Sequence, residues 1–248
     1  MSRPLLPRLL RSSLLALLGV AALGARPQVN QVPAGIWKGT YQDADGVTRS
    51  ALAFVQGGSS GGEARLILAN GDLAGLKLTA GGEGRGTQYR GGGGSLQLRW
   101  QLERARPRKR FQGVYQTVGE NGASLGHFVF DDFLAIYDLH TDQNAMAGTY
   151  ASSPGQNTLH QDLALTLKPD GSFKATGPAG MVLAGALAVP DPDHSIFLAT
   201  FRLTVPNHSA QDGTGLGYAF KNAKSSQRTI LVTGDLGGRG WLATFEER

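Results

Sequence analysis

The sequence contains no cysteine, which excludes disulfide bonds, thiolate metal ligands and cysteine nucleophiles. Charged residues are also sparse, at 17% of the chain against a usual value of about 25%. Long apolar runs are missing too, because Leu14 to Leu23 provides only about ten residues where a transmembrane helix needs roughly 20. We therefore expect a protein without a membrane span that is stabilised by packing, for which a hydrophobic content of 41% is sufficient.

The first 25 residues have the layout of an export signal. Arg3, Arg8 and Arg11 form a basic region before the apolar run, and small residues follow it at Ala22 to Ala25. This order is typical of a secretory signal peptide cleaved near Ala25, with an uncleaved amphipathic start as the alternative. We expect residues 1–25 to be removed and the mature protein to be periplasmic or secreted. Loss of the three arginines lowers the formal net charge from +5 to +2, so the calculated pI overstates the affinity for polyanions.

Glycine is abundant, at 36 of 248 residues, and it separates short apolar runs of period two. The clearest run sets Leu96, Leu98, Trp100 and Leu102 against polar neighbours, which is typical of a half-buried strand. Turn dipeptides that tolerate positive φ predict antiparallel hairpins between such runs, namely Asp45-Gly46, Asn70-Gly71 and Asn121-Gly122. No convincing amphipathic helix interrupts the pattern, so a parallel α/β fold is disfavoured.

One stretch departs from this pattern. Eight glycines lie between Gly81 and Gly94, which is too many for dense side-chain packing. We expect a mobile loop or a weak edge strand there.

The chain divides into two similar units. Gly35 to Tyr41 opens the first and the shorter Ala147 to Tyr150 opens the second, with a polar stretch at 140–145 between them. We predict an all-β protein with two antiparallel β-barrel-like units in tandem, at 33–140 and 145–248, after the signal peptide. The second unit has the eight strands that close a small up-and-down barrel, predicted at Met146–Ala151, Gln161–Lys168, Ser172–Thr176, Met181–Val189, Ser195–Thr204, Gly215–Lys221, Thr229–Thr233 and Trp241–Phe245.

The first opening resembles a known family. Gly35-Ile36-Trp37 matches the Gly-x-Trp that begins the first strand of lipocalins and related calycin barrels. The resemblance implies that Trp37 plugs the closed end of a barrel whose mouth receives a small apolar ligand. The later Thr-Asp-Tyr triplet of lipocalins is missing, with Thr141-Asp142-Gln143 as the nearest approach. Trp37 is otherwise a core aromatic at the start of a strand.

A serine motif is the main sign of catalysis. Gly122 to Gly126 fits Gly-x-Ser-x-Gly around Ser124, the elbow that exposes a nucleophile between a strand and a helix. The chain shows no such alternation, and the loop from Gly57 to Gly61 fits the same motif. We interpret Ser124 as a residue beside a hairpin turn and predict no catalytic residue and no cofactor.

Acidic and histidine residues give no recognised metal motif. Asp131, Asp132, Asp138, His140 and Asp142 cluster within twelve residues, and Asp191 to His194 forms a proline-stiffened turn. Oxygen ligands of this kind suit hard cations, but no EF-hand or zinc spacing is present. We interpret both segments as solvated and predict no metal site.

The sharpest charge feature is a cationic cluster that we call the basic tip, comprising Arg104, Arg106, Arg108, Lys109 and Arg110. Pro107 places it in a turn, where a hairpin would project it into solvent with Glu103 as the nearby opposite charge. Such a tip is either solvated or binds an anionic envelope polymer, a lipid headgroup or an acidic protein. Nucleic acid is not expected, because no aromatic RNA-binding motif accompanies it.

Together these features indicate an exported, non-enzymatic β-barrel protein that binds a small apolar ligand or an envelope partner. One alternative is an interaction module, an inhibitor or adhesin, that acts through exposed loops. The other is a barrel enzyme, which would need a pocket of convergent titratable groups.

Overall fold

The computed structural model describes residues 32–43, 45–58, 60–119, 122–221 and 226–248. In them the chain forms two closed, eight-stranded antiparallel barrels, which confirms the predicted all-β class and the tandem arrangement. The predicted signal peptide lies outside the described residues. None of the described helices is long and apolar enough to cross a membrane.

The first barrel is an up-and-down meander, because each strand pairs with the next and the last returns to the first. Its strands are β1 (Gly35–Gln42), β2 (Thr48–Gln56), β3 (Gly61–Leu68), β4 (Leu73–Thr79), β5 (Glu83–Tyr89), β6 (Ser95–Arg106), β7 (Arg110–Gly119) and β8 (Gly122–Phe133). Alternate side chains enter the barrel, as period-two patterning requires.

The second barrel has the same topology, and all eight strands predicted for it are present. They are β9 (Gly148–Ser152), β10 (Leu163–Leu167), β11 (Ser172–Thr176), β12 (Val182–Ala188), β13 (Ile196–Thr204), β14 (Gln211–Lys221), β15 (Arg228–Leu236) and β16 (Arg239–Glu247). Short 3-10 helices lie between the barrels at Ala135–Asp138 and Asn144–Met146, and within the second barrel at Pro154–Gln156 and Pro178–Gly180.

The expectation of a mobile loop or weak edge strand between Gly81 and Gly94 is wrong for Glu83–Tyr89, which form β5, whereas residues 90–94 form the turn into β6. Strand β5 lies inside the closed barrel, pairs along its whole length with β6, and pairs from Gly84 to Tyr89 with β4. The reason is a close approach of backbones: a Cβ on Gly86 would overlap the carbonyl oxygen of Gly75 on β4. Glycine at this position therefore permits strand pairing instead of preventing it.

We expect Gly86→Ala to destabilise the protein by about 1–3 kcal/mol, because overpacking forces the backbone to shift. Gly92→Ala is the matched control, since a Cβ at Gly92 would meet no atom within 4 Å. Urea denaturation followed by far-ultraviolet circular dichroism measures both variants. Equal midpoints for the two variants would show that β5 does not depend on this close approach.

Aromatic side chains fill much of the first barrel. The ring centroids of Trp100 and Phe128 are 4.3 Å apart, and those of Phe111 and Phe130 are 4.9 Å apart. Trp37 is completely buried and meets Phe111 edge-to-face at 5.1 Å. In the second barrel, Phe201 packs against Trp241 with ring centroids 4.7 Å apart.

The two barrels contact each other through apolar side chains on their outer walls. Ile36 and Phe54 from the first barrel cluster with Ile196 and Leu216 from the second, together with Tyr137 from the connecting segment. The ring of Phe54 stacks on Tyr218 with centroids 5.4 Å apart. Polar contacts flank this cluster: Tyr89 donates a hydrogen bond to Asp235, and Arg65 donates one to Thr214.

Candidate functional site

The basic tip is the connection between β6 and β7. The backbone N–H of Lys109 donates a hydrogen bond of 3.0 Å to the carbonyl oxygen of Arg106, which closes the turn. Arg108 has a φ of 57°, in the left-handed region that bulky residues rarely adopt. All five cations of the tip are exposed.

A β-bulge determines which way the tip side chains face. Leu98, Trp100 and Leu102 are buried in the barrel, so strict alternation would also direct Arg104 and Arg106 inward. The pairing of β6 with β7 shifts between Leu102 and Arg104, and the extra residue reverses the alternation. Arg104 and Arg106 are thereby exposed on the outer wall.

Arg108 has a partner that the sequence did not predict. Its guanidinium donates two hydrogen bonds to the carboxylate of Asp138, at 2.8 and 2.7 Å, and its central carbon lies 5.4 Å from the ring centroid of Phe133. The expectation that Glu103 is the nearby compensating charge is therefore wrong. The physical reason is that β8 ends beside the tip, so the segment after Phe133 returns alongside it.

Asp138 also faces the second barrel. Its carboxylate lies 3.8 Å from Nδ1 of His194, and Nε2 of His194 lies 3.7 Å from Asp191. The imidazole of His194 stacks on Tyr137 with ring centroids 4.2 Å apart. Burial is the largest cause of the raised pKa of Tyr137, and the charges of Asp191 and Asp138 add to it. The carboxylate of Asp138 therefore contacts both Arg108 of the basic tip and His194 of the second barrel.

The other members of the acidic segment are dispersed. Asp131 and Asp132 are exposed at the end of β8. His140 lies 3.8 Å from Asp193, and Asp142 accepts a hydrogen bond of 2.9 Å from the backbone N–H of Asn144. Within the described ranges of the chain, no group of three His, Asp or Glu residues is arranged to hold a metal ion.

Ser124 does not lie at a nucleophile elbow. It is part of β8, opposite Thr117 of β7 in an antiparallel ladder. A nucleophile elbow is instead a sharp turn from a strand into a helix.

A small cavity lies in the first barrel, away from Trp37. Its volume is about 40 Å³, and it is lined by Tyr41, Leu66, Leu68, Ala74, Gln88, Leu98, Trp100, Tyr115, Phe128 and Phe130. Burial raises the pKa of Tyr115 to about 12, and its hydroxyl donates a hydrogen bond to the carbonyl oxygen of Gln42. Gln88 donates a hydrogen bond of 2.7 Å to Asp72.

Comparison with known proteins assigns no family to the chain. No family model matches the chain, and no curated protein matches it significantly. Among solved structures, a candidate outer membrane protein (BF2706) from Bacteroides fragilis is similar at 15% identity, covering 87% of this chain and 97% of its own, with a TM-score of 0.30. At that score the similarity supports no conclusion about fold or function. The predicted barrel is confirmed by the topology, whereas nothing in the comparisons points to lipocalins.

Proposed function

We propose that the protein is an exported, non-enzymatic interaction module that binds an anionic component of the cell envelope through its basic tip. One observation carries the proposal: Arg104, Arg106, Lys109 and Arg110 are all exposed, and none forms an ion pair with any residue that the structure describes. Unpaired cations at the end of a hairpin are available to an anionic partner. Cleavage of the signal peptide near Ala25 and an envelope location are parts of this proposal.

The arrangement of the tip has a cost in stability. Arg106 and Arg110 are direct cross-strand partners, and like charges in that position destabilise a sheet, where cross-strand pairs contribute roughly 0.2–1 kcal/mol. A bound anion would remove this repulsion. The tip is therefore better suited to a bound state than to an empty one.

A small apolar ligand inside the first barrel is the weaker candidate. Ligand pockets usually measure about 300–1,000 Å³, and the cavity beside Tyr41 has about 40 Å³. The aromatic side chains that fill the barrel leave room for only the end of such a ligand. The implied role of Trp37 as a barrel plug stays a proposal, supported by its complete burial.

The test removes the four unpaired cations and retains the Arg108–Asp138 pair. We expect the serine variant of Arg104, Arg106, Lys109 and Arg110 to bind long-chain polyphosphate or phosphatidylglycerol vesicles at least about tenfold more weakly at low salt, because attraction between exposed charges is lost. Wild-type binding should itself weaken steeply with salt, since the Debye length is about 8 Å at physiological ionic strength. Fluorescence anisotropy for the polymer and co-sedimentation for the vesicles measure these affinities.

A matched variant separates a specific site from general charge. Serine replacement of Lys168, Lys174, Lys221 and Arg239 removes the same charge from exposed positions of the second barrel, and we expect it to retain nearly all binding. Equal losses in the two variants would contradict a site at the tip. The thermal midpoint of the tip variant should be unchanged or slightly higher, because like-charge repulsion is relieved.

A further inference from the structure

A second group of cations lies on the same side of the first barrel as the tip. Lys77 on β4 is the register partner of Arg85 on β5, and Arg85 is the partner of Arg99 on β6. All three side chains are exposed, and neighbouring strands are about 4.8 Å apart. We call these residues the basic row. Lys77 and Arg99 are 22 positions apart in the sequence, so only strand register brings the three residues together.

The row and the tip belong to one surface because both include β6. Arg99 precedes Arg106 by seven residues on that strand, which corresponds to roughly 20 Å at a rise of about 3.3 Å per residue. The bulge after Leu102 keeps Arg104 and Arg106 on the outer wall with Arg99. Without the bulge, Arg104 and Arg106 would point into the barrel, and the barrel wall would separate them from Arg99.

Opposite charges on this surface are few. Glu83 lies opposite Gln101 between the row and the tip, and Glu103 lies in the bulge. Glu63, the register partner of Lys77, is engaged by Arg65 through a hydrogen bond of 2.7 Å. No cation of the row forms an ion pair with a residue in the described part of the chain. The surface is therefore positive along its length.

We infer that the row and the tip together bind a linear polyanion, a flexible polymer with closely repeated phosphate or sulfate groups. This inference rests on the proposed function and identifies its partner. The three cations of the row are carried by neighbouring strands whose backbones are about 5 Å apart. Together with the cations farther along β6, they suit a flexible chain with repeated charges. Each neutralised group releases counterions, so a polymer that reaches both parts gains affinity over one that reaches only the tip.

Barrel curvature favours a polymer over a bilayer. Strands β4, β5 and β6 are three neighbours of eight, so their outward directions diverge by about a quarter of the circumference of a closed barrel. A flat membrane touches such a wall along a narrow line, so a bilayer that meets the tip and Arg99 on β6 does not also reach Lys77 and Arg85. A flexible chain can follow the curve.

The experiment compares polyanion lengths in matched variants of the mature protein. We expect Lys77→Ser, Arg85→Ser and Arg99→Ser together to weaken binding of long-chain polyphosphate or dextran sulfate on the order of tenfold, and to leave binding of tripolyphosphate at the tip nearly unchanged. Parallel polyphosphate and dextran sulfate titrations show which anionic group is preferred. Glu83→Gln should strengthen long-chain binding, since it removes a carboxylate between the two parts.

The outcomes separate this inference from the proposed function. If the tip variant loses binding and the row variant binds long chains like the wild type, the proposed function stands and the inference is overturned. If the wild type binds vesicles but neither polymer at low salt, only the inference is overturned. If it binds neither polymers nor vesicles, both are overturned. Row substitutions that weaken vesicle binding as much as polymer binding would overturn the choice of a linear partner. Unchanged thermal midpoints show that the exposed substitutions leave the barrel folded.

Discussion

Replacing Trp37 by alanine is expected to destabilise the first barrel by about 3–5 kcal/mol, the usual cost of removing a large buried aromatic. Trp37 is completely buried, and its ring meets Phe111 at 5.1 Å and Phe133 at 5.0 Å in edge-to-face contacts. Such aromatic pairs contribute roughly 0.5–1.5 kcal/mol beyond their buried area. The substitution removes both pairs and leaves a cavity at one end of the barrel.

Hydrogen exchange measured by mass spectrometry is the appropriate readout, because it reports on the two barrels separately where a single midpoint would not. In the alanine variant, the protection of backbone amides from exchange should fall mainly in β1, β7 and β8. Trp37→Phe is the matched control, since Nε1 of Trp37 has no hydrogen-bond partner among the described residues and the smaller ring removes volume alone. A loss below about 0.5 kcal/mol for the alanine variant, typical of a surface position, would contradict a structural role for Trp37 at this end of the barrel.

Leu216→Asp is expected to separate the two barrels without unfolding the second. Leu216 lies on the outer wall of β14, is completely buried, and clusters with Ile36 and Phe54 of the first barrel. An unpaired carboxylate in that contact would either lose its hydration, at a cost of several kcal/mol, or force the surfaces apart. Separation is the less costly outcome, because the interior of the second barrel does not include this side chain.

Limited proteolysis at 134–147 and hydrogen exchange measure this uncoupling. Cleavage in the segment should become much faster, while β10 to β13 retain their protection. Thr200→Asp places the same charge on an exposed outer position of β13, and it should leave cleavage unchanged. The predicted units at 33–140 and 145–248 imply that each barrel folds on its own. Simultaneous loss of protection in both barrels of the Leu216 variant would contradict that independence.

Strand patterning and hairpin turns are readable from the sequence because both are local. The eight strands of the second barrel follow from alternation of the Leu163–Leu167 type and from turns such as Asp170-Gly171, since the residues that decide each are neighbours. The antiparallel class follows in the same way. The basic tip could also be predicted from the sequence, because its five cations lie within seven positions of one turn.

Contacts between distant residues were decided by the tertiary structure alone. The spacing of the glycines in β5 does not show whether the segment is a strand or a loop. The close approach of Gly75 to Gly86 exists only once β4 and β5 are paired. Asp138 reaches Arg108 across 30 residues, because the antiparallel pairing of β7 with β8 brings the end of β8 back to the tip.

The orientation of the cationic surface depends on the same long-range pairing. Strict alternation from Leu102 would bury Arg104, and the bulge that exposes it arises from pairing with β7. Lys77, Arg85 and Arg99 form a row only through the register of three strands. Sequence period determines which residues can share a face, whereas register and bulges, set by packing across the whole barrel, determine which of them meet.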